Sequence, residues 1–300
     1  ALERPTGRLK WILELREELV ALPFLTEQAV YLFSKTQRPK HPANAKSQKK
    51  WDQTETSLRV VAIHRLFGEI IKDSVLSVDP PQQRFQASFD VSSKTLVLNG
   101  GDLLFSLSLE ALRVKWQITA EDQFTGWPLI ANSQVIQATN DGRIQSFSLQ
   151  SGENLWRNAL DSELNTSPTH IPIYNRLAII SKDGYLHMLN GQTGNRVWRF
   201  NLENKNLTSE TWAARLHGRH IQELDMPWKY KGWVLWAPCV EGRICIYKPS
   251  QGQIIGRISL PGKLVQPPVF FKEGFGAIVK TNESEYQWLE FKEKRLARAN

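Results

Sequence analysis

Three groups of side chains in this 300-residue sequence have the types and spacing that chemistry would require. The first is a set of carboxylates, each followed by glycine: Asp141-Gly142, Asp183-Gly184 and Glu241-Gly242. Gathered at one point they would form an acid/base cluster. Each pair, however, precedes a second glycine by eleven positions. A fixed spacing of that kind marks turns, because an acidic-Gly pair supplies the positive φ of a tight hairpin. The second group is His217 and His220, three apart and so on one side of a helix. Two histidines do not make a metal site, and ordinary surface histidines are expected. The third is Cys239 and Cys245, six apart. They flank a hairpin turn, which places them on neighbouring strands rather than side by side. Two cysteines are too few for a disulfide framework or a four-cysteine zinc site. There is no Gly-x-Ser-x-Gly elbow and no phosphate loop. Asn165, Asn206 and Asn282 open glycosylation-type triplets, which matter only in a secreted eukaryotic chain. No catalytic residue, cofactor site or metal site is therefore expected.

The elements that carry these residues repeat. Asp141 to Trp156 is one unit, and Asp183 to Trp198 is the same unit 42 residues later. Glu241 to Gly252 is a third. In the first two, Trp follows the second glycine by four. Leu58 to Ile63 followed by Gly68 is a fainter copy, with Lys72 at the Trp position, and Leu103 to Leu107 followed by Trp116 is another. Pro5 to Trp11 holds only the last part of a unit. Within a unit, alternation such as Ile144, Ser146, Ser148 against Gln145, Phe147, Leu149 is the period of a strand. Pro128, Pro168 and Pro227 lie 13 to 15 residues before their acidic-Gly pairs, with Pro23 and Pro268 at the matching place. Proline cannot donate to a ladder and belongs on an edge strand.

Each unit thus reads as an edge strand with Pro, a second strand, the acidic-Gly turn, a third strand, a Gly turn, and a fourth strand with Trp. The chain is predicted to be all-β, a single propeller domain over 1–300. It has about six blades, within a range of six to eight, of four strands each. The blades run roughly 20–77, 78–117, 118–159, 160–200, 201–259 and 260–300. Thr6 to Leu13 is expected to close the ring by completing the last blade, since unpaired edges invite association. Arg295 to Asn300 is the alternative fourth strand there. Trp11, Trp116, Trp156 and Trp198 share one repeat position and are expected to pack between neighbouring blades.

This pattern resembles the PQQ-like repeat of quinoprotein-type β-propellers. The resemblance implies a propeller and leaves the task open, because such blades serve unrelated functions. Quinoprotein dehydrogenases are about twice as long and carry adjacent cysteines against the quinone, with an acidic base and calcium ligands. Cys239 and Cys245 do not fit that arrangement. A propeller-only chain of this length is most similar to the BamB family of periplasmic lipoproteins, in which a short N-terminal strand also closes the last blade. That family usually has eight blades.

Two segments exceed the repeat and are expected to project from one face. The first insertion, 34–56, carries Lys35, Arg38, Lys40, Lys46, Lys49 and Lys50 with no acid before Asp52, so most of the net charge of +8 is local. Pro39, Pro42, Ala43 and Asn44 suit a flexible, unfolded loop. Such a segment would meet phosphorylated lipid, nucleic acid or an acidic protein, or would simply be solvated. Trp51 alone is no platform for single-strand stacking. The second insertion, 203–226, leads into Trp228 and carries Trp212, Arg215, Leu216, His217, His220, Leu224 and Met226, with Ser209 placed to cap a short helix over 210–222. Trp, Met and Arg are enriched at binding hot spots. A lid folded over the channel is the other reading.

No stretch approaches the 18 or so apolar residues of a spanning helix. A start at Ala1 suits a mature or trimmed product. The lack of catalytic and cofactor residues points to a non-enzymatic protein-interaction scaffold without a cofactor, and the resemblance to the BamB family implies one that is periplasmic, anchored at the outer membrane and takes part in outer-membrane β-barrel assembly. The proposed partner-binding residues are Lys35, Arg38, Lys40, Lys46, Lys49, Lys50, Trp212, Arg215, Leu224, Met226 and Trp228. A quinone-dependent dehydrogenase and a luminal or extracellular sensor propeller are the alternatives.

Overall fold

A computed structural model describes residues 8–14, 16–39, 54–78, 84–164, 166–202, 212–217, 220–221, 231–239, 243–265, 269–271, 274–282 and 284–294. Its regular structure among these residues is antiparallel sheet, apart from one 3-10 turn at Pro172–Tyr174. The first sheet has β1 (Phe24–Leu25), β2 (Ala29–Pro39), β3 (Thr54–His64) and β4 (Ile70–Leu76). The second has β5 (Gln86–Asp90), β6 (Thr95–Gly100), β7 (Leu103–Ser108) and β8 (Arg113–Thr119). The third has β9 (Phe124–Ala131), β10 (Gln134–Thr139), β11 (Arg143–Ser148) and β12 (Asn154–Ala159). The fourth has β13 (Thr169–Ile171), β14 (Arg176–Ile180), β15 (Tyr185–Asn190) and β16 (Arg196–Asn201). Next come β17 (Trp212–His217), β18 (His220–Ile221), β19 (Lys231–Pro238), β20 (Arg243–Tyr247) and β21 (Ile254–Ser259). The chain finishes with β22 (Lys263–Leu264), β23 (Val269–Phe271), β24 (Gly274–Asn282) and β25 (Glu285–Lys294). The fifth sheet runs β17-β19-β20-β21. The last runs β18-β25-β24-β22, with β23 also paired to β24.

The first four sheets are meanders in chain order, as the repeat requires. Gly142 and Gly184, in the acidic-Gly turns, hold φ of 91° and 87°. Pro128 lies in β9, an edge of its sheet, where its missing donor costs no ladder bond. The first five sheets share one irregularity. The register between third and fourth strands slips at Ala62/Ile63, Ser106/Leu107, Ser146/Phe147, Met188/Leu189 and Ile246/Tyr247. The residue before the slip faces Lys72, Trp116, Trp156, Trp198 and Gly256 in turn. A bulge at this place turns the Trp toward the next sheet's hairpin.

Two compact units make up the chain: residues 1–124 with 149–152, and residues 125–148 with 153–300. In the first, Phe33, Leu58, Val60 and Ala62 pack against Leu96, Leu98, Phe105 and Leu107 in one core. In the second, the fourth sheet is buried on both faces. Leu177, Ile179 and Leu189 join Ile136, Ala138 and Ile144 of the third sheet. Ala178, Ile180, Leu186 and Met188 join Leu235, Ala237, Cys245 and Tyr247 of the fifth. A sheet apolar on both sides cannot face water, so stacking between neighbours is forced by the strand period.

Two expectations are corrected here. The segment 34–56 is not an unfolded loop at its ends: β2 and β3 pair without interruption from Ala29↔His64 to Pro39↔Thr54. Thr36, Thr54 and Thr56 favour this pleated ladder. The helix read over 210–222 is absent. Trp212–His217 is a strand paired to β19 from Trp212↔Trp236 to His217↔Lys231, and His220–Ile221 pairs with β25 at Glu293–Lys294. An outer strand satisfies the free backbone groups of β19, which an isolated helix turn would leave open. The segment Thr6 to Leu13, expected to close the ring, lies partly outside the described residues.

Candidate functional site

The repeated Trp residues prove to be docking pins. Within the first unit Trp11 Nε1 donates to Arg65 O at 3.1 Å and Trp116 Nε1 to Leu149 O at 3.0 Å. Within the second, Trp156 donates to Gly191 O at 3.3 Å and Trp198 to Pro249 O at 3.0 Å. Each ring lies over a glycine of the receiving turn: Gly68, Gly152, Gly194 and Gly252, with φ between 69° and 76°. A Cβ on Gly194 would stand 2.4 Å from Trp156. Where the first sheet carries Lys72 in place of Trp, the ammonium donates to the carbonyl of Glu110 in the second sheet's turn. The glycine of that turn is replaced by Leu112, at φ 47°. With no ring pressed on it, the position tolerates a side chain.

The acidic-Gly carboxylates are also consumed by the fold. Asp141 accepts from Thr139 Oγ1 at 2.6 Å and pairs with Arg143 Nε at 2.8 Å. Asp183 accepts from Ser181 Oγ. Glu241 and Gly242 lie outside the described residues. The same two repeat positions hold a further surprise. Ser181 Oγ meets His187 Nε2 at 2.9 Å in the fourth sheet, and the corresponding residues of the fifth are Cys239 and Cys245. These are joined by a disulfide, with Cα atoms 5.7 Å apart, and both are buried. The reading of the cysteines as not side by side is thereby corrected. Cys245 is registered against Ala237, and Cys239, two residues further along across the hairpin, reaches it diagonally.

Of the proposed partner-binding residues, Lys35 and Arg38 lie in β2, and Arg38 is registered against Glu55. Lys35 pairs with Glu18 at 3.8 Å. Beside it Arg59 is clamped between Asp73, through bonds of 3.0 and 2.6 Å, and Glu17 at 3.2 Å. Burial pushes the Glu17 carboxyl up, but bonds from Ser34, Arg59 and Thr36 outweigh it and hold it below its ordinary value. Trp212 and Arg215 are on β17. Lys40, Lys46, Lys49, Lys50, Leu224, Met226 and Trp228 lie outside the described residues. Among the described residues no group of His, Cys, Asp and Glu is arranged to hold a metal ion.

A sequence profile described as outer membrane protein assembly factor BamB matches residues 74–224, which is half of the chain. The chain belongs to the BamB family. No curated protein matches it in sequence. BamB from Moraxella catarrhalis superposes with a TM-score of 0.57 at 16% identity, covering 92% of this chain and 74% of that one. A europium-containing methanol dehydrogenase gives 0.58 at 12% identity, over 89% of this chain and 54% of its own. A quinohemoprotein alcohol dehydrogenase from Pseudomonas putida HK5 gives 0.54 at 14%, over 87% and 44%. This chain therefore spans about half the length of the two dehydrogenases. At these identities the structures share the BamB-type propeller fold alone.

Proposed function

We propose that this member of the BamB family is a non-enzymatic scaffold that docks protein partners during outer-membrane β-barrel assembly. The observation that carries the reading is the family match across residues 74–224. The repeated carboxylates support it, since Asp141 and Asp183 are engaged by their own turns. The Cys239–Cys245 disulfide suits an oxidising compartment such as the periplasm, and anchoring at the outer membrane is proposed from the family match alone. No helix among the described residues is long and apolar enough to cross a membrane. The basic segment from Lys35 to Lys50 supplies an anion-seeking surface, and the strand carrying Trp212 and Arg215 supplies the second contact. Affinity capture from an envelope extract should recover a barrel-assembly component, and its absence overturns the assembly role. The fold shared with two dehydrogenases favours one second reading, an enzyme that takes a quinone. Adding pyrroloquinoline quinone and calcium, then following cofactor absorbance and dye reduction, separates the two. The scaffold reading expects neither signal.

A further inference from the structure

The turn between third and fourth strands recurs in the first five sheets, so the chain supplies its own standard of comparison. In four of them the tip presents only polar or small side chains: Glu110-Ala111, Gln150-Ser151, Gln192-Thr193 and Ser250-Gln251. The first sheet presents Leu66-Phe67 instead, 57% and 68% exposed. Phe67 stacks on His64, with centroids 4.6 Å apart, so its ring is held rather than free to fold away. The neighbouring turn adjoins, because Arg65 N donates to Gln28 O at 2.9 Å, and it brings the exposed Leu25 to the same end of the sheet. Arg65, Glu27 and Glu69 surround these residues, are exposed, and form no ion pair among the described residues.

We infer that this end of the first sheet is a self-association surface for a second copy of the chain. A two-fold contact brings a patch onto itself, so it requires an apolar centre and both signs of charge at the rim. This patch has both. Arg65 of one copy faces Glu27 and Glu69 of the other, while Leu66 and Phe67 leave water together. An anionic bilayer is a poorer occupant. The rim carries two acids to one base, and the basic segment departs between Pro39 and Thr54, at the opposite end of that sheet.

Sedimentation velocity across a wide concentration range tests this directly, and independently of any assembly role. The wild type should shift toward a dimer as concentration rises. Leu66→Ser with Phe67→Ser should weaken association by about tenfold or more, since aromatic anchors dominate such contacts. Its circular dichroism and melting should stay unchanged, because both side chains are already in water. Arg65→Glu should abolish the dimer, and adding Glu27→Arg and Glu69→Arg should restore it. A wild type that stays monomeric overturns the inference. So does a dimer that survives the double substitution, and so does flotation of a monomeric wild type with phosphatidylglycerol vesicles.

Discussion

His187 should make the second compact unit acid-sensitive in a defined window. The side chain is 1% exposed on β15. Ser181 Oγ gives its proton to Asp183, so His187 Nε2 donates to that oxygen at 2.9 Å. Nδ1 is left buried with no hydrogen-bond partner. Protonation would place a charge there without an acceptor. Burial pushes the imidazole down to about 4, against a partial pull from Asp183, with Asp161, Arg196 and Arg199 adding smaller effects of both signs. The folded value lies below the unfolded one of about 6.5, so the unfolded chain binds the proton first. Stability from this group is complete above pH 6.5 and is lost as pH falls toward 4. The whole difference is about 3 kcal/mol, of which roughly 2 is gone at pH 5. Urea unfolding between pH 7.5 and 5 should show the slope in the wild type. His187→Gln, which installs the residue found at the matching position Gln145, should remove it. Carboxylates held low by their partners, such as Glu17 and Asp73, act at more acid pH and cancel in the difference. Equal slopes for the two proteins would refute the assignment, whatever constant offset the substitution adds.

Three further outcomes are expected. Lys72→Trp alone should destabilise by about 1–3 kcal/mol through overpacking against Leu112, and Leu112→Gly should rescue it, so that a double-mutant cycle shows coupling. Reducing the Cys239–Cys245 bridge should cost about 2 kcal/mol for so short a loop. Because both sulfurs are buried, an alkylating reagent should label them only under unfolding conditions. Partner binding through the basic segment should weaken steeply with salt as the Debye length falls from about 10 Å at 0.1 M to about 3 Å at 1 M. Lys46→Gln, Lys49→Gln and Lys50→Gln together should slow association more than they speed dissociation. That triple variant should melt within about 0.5 kcal/mol of wild type. Salt-insensitive binding removes the segment from the mechanism.

The strand pattern was legible because it rests on local rules. Asp141-Gly142 and Asp183-Gly184 announce turns, and the Trp positions repeat with them, so the sheets and the docking role of Trp116, Trp156 and Trp198 could be read directly. What stayed hidden depends on partners remote in sequence. Trp212–His217 is a strand because β19 lies beside it, and no spacing within 210–222 reveals that. Ser34 to Pro39 looked like loop because its charges and prolines outweighed the pairing offered by Thr54 to Arg59. The link between Cys239 and Cys245 had a usable signal, since Ser181 and His187 occupy the same repeat positions, but it emerges only when the repeats are aligned on the acidic-Gly turn. The tip Leu66-Phe67 stands out by the same alignment, as two large apolar residues where the repeat is polar or small.

The docking pin is directional. A sheet hands an indole to its successor and receives one on its own glycine from its predecessor. Donor and acceptor parts are carried together on the third and fourth sheets, which hold Gly152 with Trp156 and Gly194 with Trp198, and there they do not depend on which copy comes next. A chain built this way can gain or lose a whole sheet by duplication or deletion and still present a matched joint at the new junction. Its natural unit of length change is therefore the sheet, not the residue. The seam between Lys72 and Leu112 shows the complementary rule: where one half of the joint is altered, the other half is altered with it.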